Sequence, residues 1–329
     1  MSVGSPLLDL PMMGSDRERV ERAMLDAVRT PDDYLTEIAS HLISAGGKRL
    51  RPVMTIVSSL VTEASPGQAT NEVIQGGIAC ELVHLGSLYH DDVMDESTTR
   101  RGVETVNAKW GNLQAILAGD FLLARASEIA ASLGTEVAGL LARTIGQLCE
   151  GQIEELRFTY KPERTLDSYL ASIEGKTASL YSTAARIGGI VAGLDREMID
   201  TLTAYGTAYG MVFQIVDDIL DVTATDEELG KPAGHDMVEG VYTLPVMHTL
   251  AAGGPDAEEL RRMLGRPLSR RRQRRALAIV RSGDGVSRAV VTAREFVARA
   301  EAACDALPQT PATSALRSAA ESLLASVAR

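Results

Sequence analysis

No proline falls between Pro66 and Pro162, or between Pro162 and Pro232. Proline removes a backbone donor and clashes with the preceding helical turn, so such gaps let long helices run unbroken. The residues that fill them show no regular alternation of Val, Ile and Thr segments, so a sheet has no support. Hydrophobic residues make up 45% of 329, enough for a sizeable core, yet only 4% are aromatic and Ala, Leu, Val and Ile dominate. The expectation is an all-α chain, one large domain from residue 15 to 329 behind a mobile arm at residues 1–14.

Net charge is -11, which argues against nucleic acid as the principal partner. The arginine-rich stretch from Arg261 to Arg275 is a local exception. Glu258 and Glu259 adjoin it, so it reads as a solvated helix or loop, with contact to an anionic surface as the alternative. Cys80, Cys149 and Cys304 form no CxxC pair, which suits a reducing cytoplasm without disulfides or structural zinc. The N-terminus has no basic region followed by an apolar core, and no apolar run reaches about 18 residues, so a cytoplasmic protein is expected.

Helices are predicted over about 71–96 and 201–222, with Asp32–Asp33 after Pro31 as another helix start. The stretch from Gly230 to Gly240 reads as a loop. The region after Leu250 reads as helical and carries no nameable chemistry.

Two segments repeat one pattern, Asp91-Asp92-Val-Met-Asp95 and Asp217-Asp218-Ile-Leu-Asp221. On a helix, residues four apart share a face, which pairs Asp91 with Asp95 and Asp217 with Asp221. Like charges crowded among apolar residues are costly unless something cationic joins them. Both clusters lie at the far end of an apolar run, so helix N-capping does not explain them. A single DDxxD is usually a solvated acidic face; two copies at one spacing point to metal. Oxygen ligands without histidine at ligand spacing suit Mg2+, which completes its octahedron with water and substrate phosphate.

A phosphate-bearing substrate calls for cations elsewhere. Lys48, Arg49 and Arg51 follow the Gly46–Gly47 break, Arg100 and Arg101 follow the first acidic cluster, and Lys176 and Lys231 each follow a glycine. A di-iron bundle would need two Glu-x-x-His motifs, and Glu81-Leu-Val-His84 supplies one only.

These stretches closely resemble the trans-polyprenyl diphosphate synthases. The matching segments are GGKRLRP (46–52), HLGSLYHDDVMDESTTRRG (84–102), GD (119–120), GQIEEL (151–156), EGKTASL (174–180), FQIVDDILD (213–221) and GKPAGHDMVEGVYTLP (230–245). The resemblance implies an isoprenoid-synthase-like helical bundle around a central apolar cavity, with the two Asp motifs facing each other at its mouth. It implies metal ligation by Asp91, Asp95, Asp217 and Asp221 around three Mg2+ ions. Catalytic roles are implied for Asp91, Asp92, Asp95, Lys176, Asp217 and Asp218. Arg100, Lys176, Thr177, Gln214 and Lys231 look like the allylic diphosphate site; Lys48, Arg51, His84 and Arg101 look like the isopentenyl diphosphate pocket. A homodimer is implied, with farnesyl or geranylgeranyl diphosphate as the allylic primer. Peripheral membrane contact would serve product release.

One position departs from the family, which often has Lys where Val241 stands; every other motif position is present. One turn before Asp91 sits Ser87, with Gly86 beside it, and a bulky aromatic there would floor the cavity. Small residues leave it open, so a long-chain product of heptaprenyl to decaprenyl length is expected, unless Gly86 merely permits close helix packing. A quinone side chain is the use suggested by analogy. The alternatives are a short-chain geranylgeranyl or farnesyl synthase, a terpene cyclase, or a non-catalytic partner subunit. GGKRLRP with Arg101 speaks against the cyclase, and two intact Asp motifs against the partner subunit.

Overall fold

The computed structural model describes residues 5–225 and 233–327. A 3-10 turn at Pro6–Leu8 leads into α1 (Met13–Ala27), α2 (Asp33–Ser44) and α3 (Leu50–Ser59). The Asp32 carboxylate accepts the amides of Tyr34 and Leu35, so the acidic pair after Pro31 does begin a helix. The first proline-free stretch supplies α4 (Asn71–Met94), the strands β1 (Thr99–Arg100) and β2 (Val103–Glu104), α5 (Val106–Trp110), α6 (Asn112–Ser132) and α7 (Thr135–Arg157). The second supplies α8 (Leu166–Ile173), a π-helical turn at Glu174–Ala178, α9 (Ser179–Val191) and α10 (Arg196–Thr223). There follow α11 (His235–Glu239), α12 (Leu244–Ala252), α13 (Gly254–Met263), α14 (Arg270–Ser282), α15 (Gly285–Asp305) and α16 (Pro311–Ala325). The fold is an all-α bundle; among the described residues β1 and β2 are the only strands.

Helix α4 lies at the centre, packed against α1, α3, α6 and α9. Its buried residues include Val73, Ile78, Leu82, Leu85 and Tyr89, so little of its circumference meets water. Each fully buried leucine or valine contributes roughly 1.5–3 kcal/mol relative to exposure. Thr70 caps the helix start through the Val73 amide. Helix α10 begins at Arg196, five residues earlier than its periodicity suggests, because Asp195 caps the Met198 amide. It approaches the π-helical turn before α9 so closely that a Cβ on Gly210 would stand 2.5 Å from the Ala178 Cα.

Residues 5–14, the described part of the expected mobile arm, correct that expectation. Leu7 and Met13 are fully buried, and Leu10 and Met12 nearly so, within the main core. A prolyl start and weak periodicity hid an apolar plug whose contacts lie in α3 and α16. A second, smaller core joins Val222 of α10 to Met237, Tyr242, Leu264 and Leu277, seating α11 to α14 on the end of α10. The loop expected over 230–240 contains the short helix α11 in its described part. No described helix is long and apolar enough to cross a membrane.

Candidate active site

Both aspartate motifs fall in the last two turns of their helices, α4 and α10. The C-terminal end of a helix carries partial negative charge, so it disfavours carboxylates. Asp91 and Asp95 stand one turn apart, and the Asp95 amide donates to the Asp91 carbonyl at 2.8 Å. Burial pushes the Asp91 carboxyl up, against the pull of Lys176 and Arg100. Asp95 is pushed up to about 6 by burial, by Glu239 and by Asp91. Glu239 belongs to α11, beyond the second motif, so the end of α4 and the segment after α10 share one field.

The two motifs are joined by the π-helical turn, whose glycine Gly175 lies against Gly151 of α7 with only 3.1 Å from its ideal Cβ position to the Gly151 Cα. Such insertions re-aim side chains that a regular helix would place elsewhere. Lys176 Nζ donates to Glu155 at 2.7 Å, and its pKa is raised by Glu155, Asp91 and Asp95 over the opposing cost of burial. The next residue, Thr177, donates to Gln214 Oε1 at 2.8 Å, and Gln214 Nε2 donates to Asp218 at 2.8 Å. Adjacent residues of one turn thus reach both motifs.

The middle aspartates differ from their neighbours. Asp92 is buried and receives Arg100 Nε at 2.6 Å. Asp218 is buried and accepts the Tyr169 hydroxyl and Gln214; burial and Asp236 push its carboxyl well up. Asp217 is exposed, whereas Asp221 is buried and accepts the His235 and Asp236 amides at 3.3 and 3.4 Å.

A second cationic group lies beside the first. In the β1–β2 hairpin, Arg101 and Gly102 form a two-residue turn with φ of 53° and 79°. That turn directs Arg101 Nη1 to the carbonyls of Leu42 and Gly46. Arg51 sits 4.8 Å from the Tyr181 ring centroid. His84 is held neutral by burial and by Arg51, Arg101 and Arg100. Lys48 is exposed in the adjoining loop. Arg49, from the same basic run, is buried between Glu21 at 2.7 Å and Glu81 at 3.2 Å and so serves the core.

Gly86 corrects part of the cavity expectation. A Cβ there would meet the Gly119 carbonyl at 3.0 Å and Leu123 Cγ at 3.3 Å, so it permits close packing of α4 on α6. Ser87 is half-buried and its hydroxyl folds back onto the His84 carbonyl at 2.8 Å. Lys231 lies outside the described residues. Val241 uses its amide to hold the Asp236 carbonyl at 2.8 Å. Two residues escaped the sequence reading. Glu155 lies within the quoted GQIEEL stretch without a role, and Tyr169, 49 residues before Asp218, carried no local signal.

Among the described residues no three acidic, histidine or cysteine side chains converge tightly enough to hold an ion unaided. The donor set nonetheless fits a hard divalent cation, because such ions take one or two carboxylates and fill the rest with water and phosphate oxygens. The Asp95 carboxyl is raised first by burial and then by Glu239 and Asp91, and a bound cation would offset both effects.

An all-α bundle that sets paired carboxylates beside two groups of cations is built for diphosphate chemistry. The family model described as polyprenyl synthetase matches residues 32–280, and the chain belongs to that family. It is a prenyltransferase. A nonaprenyl diphosphate synthase of Mycobacterium tuberculosis is 40% identical over 299 residues, covering 91% of this chain and 88% of the relative. The crystal structure of a polyprenyl synthase from Caulobacter crescentus CB15, complexed with calcium and isoprenyl diphosphate, superimposes with a TM-score of 0.89 at 32% identity, covering 97% of this chain and 96% of that one. A geranylgeranyl pyrophosphate synthase from Corynebacterium glutamicum, with the same two ligands, gives 0.83 at 36% identity and covers 96% of each chain.

Proposed function

We propose that this protein is an all-trans polyprenyl diphosphate synthase that adds isopentenyl diphosphate repeatedly to an allylic diphosphate, giving a long-chain product. The observation that carries the reading is that two groups of cations lie near the end of α4, one beside Asp91 and Asp95 and one around His84. Lys176 and Arg100 beside Asp91 and Asp95 form the first, with Thr177 and Gln214 behind them. Arg51, His84 and Arg101, with Lys48 at the rim, form the second. Two diphosphates, one leaving and one retained, need two such groups.

Asp91, Asp95, Asp217 and Asp221 would hold divalent ions, Mg2+ in this reading, and that metal would supply positive charge to the departing diphosphate. Lys176 and Lys231 add theirs to its oxygens. The allylic C–O bond breaks with its electron pair going to diphosphate. With its diphosphate held by Lys48, Arg51, His84 and Arg101, isopentenyl diphosphate attacks the carbocation through its double bond. A proton then leaves to the released diphosphate. Arg100 and Asp92 fix one another beneath the first motif, and Tyr169 with Gln214 does the same for Asp218; these act by positioning.

Incubation with Mg2+, labelled isopentenyl diphosphate and farnesyl or geranylgeranyl diphosphate tests the reading. A ladder ending in one long all-trans species supports it. Failure to incorporate label with either primer, in folded protein, rejects it. A short product would keep the chemistry and favour the geranylgeranyl alternative, which gains weight from the packing role of Gly86.

A homodimer is part of the proposal. Leu113 and Leu117 of α6 are 74% and 66% exposed, and Ile153 and Leu156 of α7 are 59% and 50% exposed. Large apolar side chains this exposed on neighbouring helices mark an association surface. Contact with a membrane surface would receive the product.

A further inference from the structure

Between residues 261 and 281 the chain carries nine arginines and no acidic residue. The rest of the chain therefore holds 24 Lys and Arg against all 44 acids, so one segment is strongly cationic on an otherwise anionic molecule. The structure makes this segment a surface. Helix α14 buries Ala276, Leu277, Ile279 and Val280 and turns Arg270, Arg271, Arg274, Arg275 and Arg281 to solvent. Residues four apart on a helix are neighbours, so Arg270 meets Arg274 and Arg271 meets Arg275 as like charges. Arg270, Arg271 and Arg272 fill the first turn, where the helix dipole is already positive and no acid offsets it.

Some of these arginines are internally satisfied. Arg275 pairs with Glu259 at 2.5 Å, and Arg281 donates to the Val222 and Ala224 carbonyls. Arg270, Arg271, Arg272 and Arg274 make no hydrogen bond or ion pair with the described residues. Among the described residues no acidic side chain pairs with these four.

The position of this face supplies a reason for its charge. Gln273 Nε2 donates to the Ala233 carbonyl, and Arg281 grips the end of α10, so α14 stands beside the second aspartate motif. We propose that the arginine face of α14 is a docking surface for an anionic lipid bilayer, which seats the mouth of the site against the membrane. This rests on the reading above that the product is a long apolar chain with a diphosphate head. The exposed arginines line neither described pocket, and from Arg270 to Arg281 the face runs about 16 Å along the helix axis. That shape suits a plane of lipid phosphates better than one small anion. Each basic residue near an anionic leaflet strengthens binding severalfold, and the attraction is screened by salt.

Sedimentation of the full chain with phosphatidylcholine vesicles, with and without phosphatidylglycerol, tests the proposal with no prenyl substrate present. Binding should require phosphatidylglycerol, weaken with added salt, and fall about 100-fold in the triple variant R270Q/R271Q/R274Q. A control variant, R22Q/R288Q/R294Q, removes the same charge from other exposed sites and should bind like the parent. Circular dichroism of both variants should match the parent. No binding to phosphatidylglycerol vesicles at low salt, or equal loss in both variants, overturns the proposal. Release from vesicles by millimolar inorganic diphosphate would replace the bilayer with a small-anion site. Retention on an acidic polypeptide or RNA, without vesicle binding, would replace it with an acidic macromolecule. Prenyl transfer measured without vesicles should be unchanged in the triple variant, so failure of the activity reading and failure of the docking reading are seen separately.

Discussion

The two aspartate motifs are written alike and set in different surroundings. In the first, the middle aspartate is paired with a guanidinium, Arg100 to Asp92, and the outer two feel Lys176. In the second, the middle aspartate is held by neutral donors, Tyr169 and Gln214, and Asp221 gathers backbone amides from the start of α11. Identical spacing therefore does not mean identical tuning. The first motif buries only its middle aspartate and holds it by charge; the second, apart from exposed Asp217, is built into the core, with its middle carboxyl pushed far up by burial and by Asp236.

The contrast can be broken most forcefully at the outer aspartates. Asp91→Asn should lower kcat about 1000-fold, because it removes a charge where both Lys176 and the proposed ion are placed. Asp217→Asn, at the exposed position of the second motif, should cost less, about 100-fold. Steady-state incorporation of labelled isopentenyl diphosphate measures both. Equal losses would mean that the environments do not differentiate the motifs.

The middle aspartates give the next effect, read as stability. Arg100→Gln leaves Asp92 buried without its cation and should cost about 2–3 kcal/mol, below the fully buried figure because Arg100 is partly exposed. Tyr169→Phe removes one neutral donor while Gln214 remains, and should cost about 1 kcal/mol. Denaturant unfolding distinguishes them, and a larger loss for Tyr169→Phe would reverse the assignment of charged and neutral support.

The helix of the first motif carries a further test. Ser87→Phe should shorten the product with little loss of stability, since Ser87 is half-buried and its hydroxyl bonds only within its own helix. Gly86→Phe should instead cost about 1–3 kcal/mol, because it drives a ring into the α6 main chain. Product chain length and melting temperature, measured on both, separate a cavity floor from a helix contact. Unchanged product length in Ser87→Phe would remove the small-residue reading.

What was legible in the sequence follows from how local each signal is. Proline gaps, the Asp32 and Thr70 starts and the twin aspartate spacing are local patterns, and they placed α2, α4 and α10 to within a few residues. Gly86 and Ser87 looked alike because sequence shows size but not direction; Gly86 lies against α6, while Ser87 is half-buried with its hydroxyl on its own helix. The first residues looked mobile because their contacts lie in α3 and α16, far along the chain. Tyr169 could not be found, since its partner stands 49 residues away. The π-helical turn that lets Lys176 and Thr177 reach opposite motifs has no residue signature in EGKTA.

The finest comparison is in pH. Asp95 has a folded pKa of about 6, above the ordinary aspartate value near 4, so between these values the folded chain binds more protons than the unfolded one. Stability contributed by this group is therefore greatest at the acid end and declines as pH rises from about 4 to about 6. The direction is opposite to that of a salt-bridged carboxylate, whose contribution is lost on acidification. Thermal unfolding across this window, without added divalent ion, should show the decline, and Asp95→Asn should flatten it. Mg2+ with inorganic diphosphate should reverse the slope, since the ligands favour the ionised carboxylate. Loss of the slope in Asp217→Asn and its survival in Asp95→Asn would place the surplus negative charge at the second motif and overturn the contrast drawn between them.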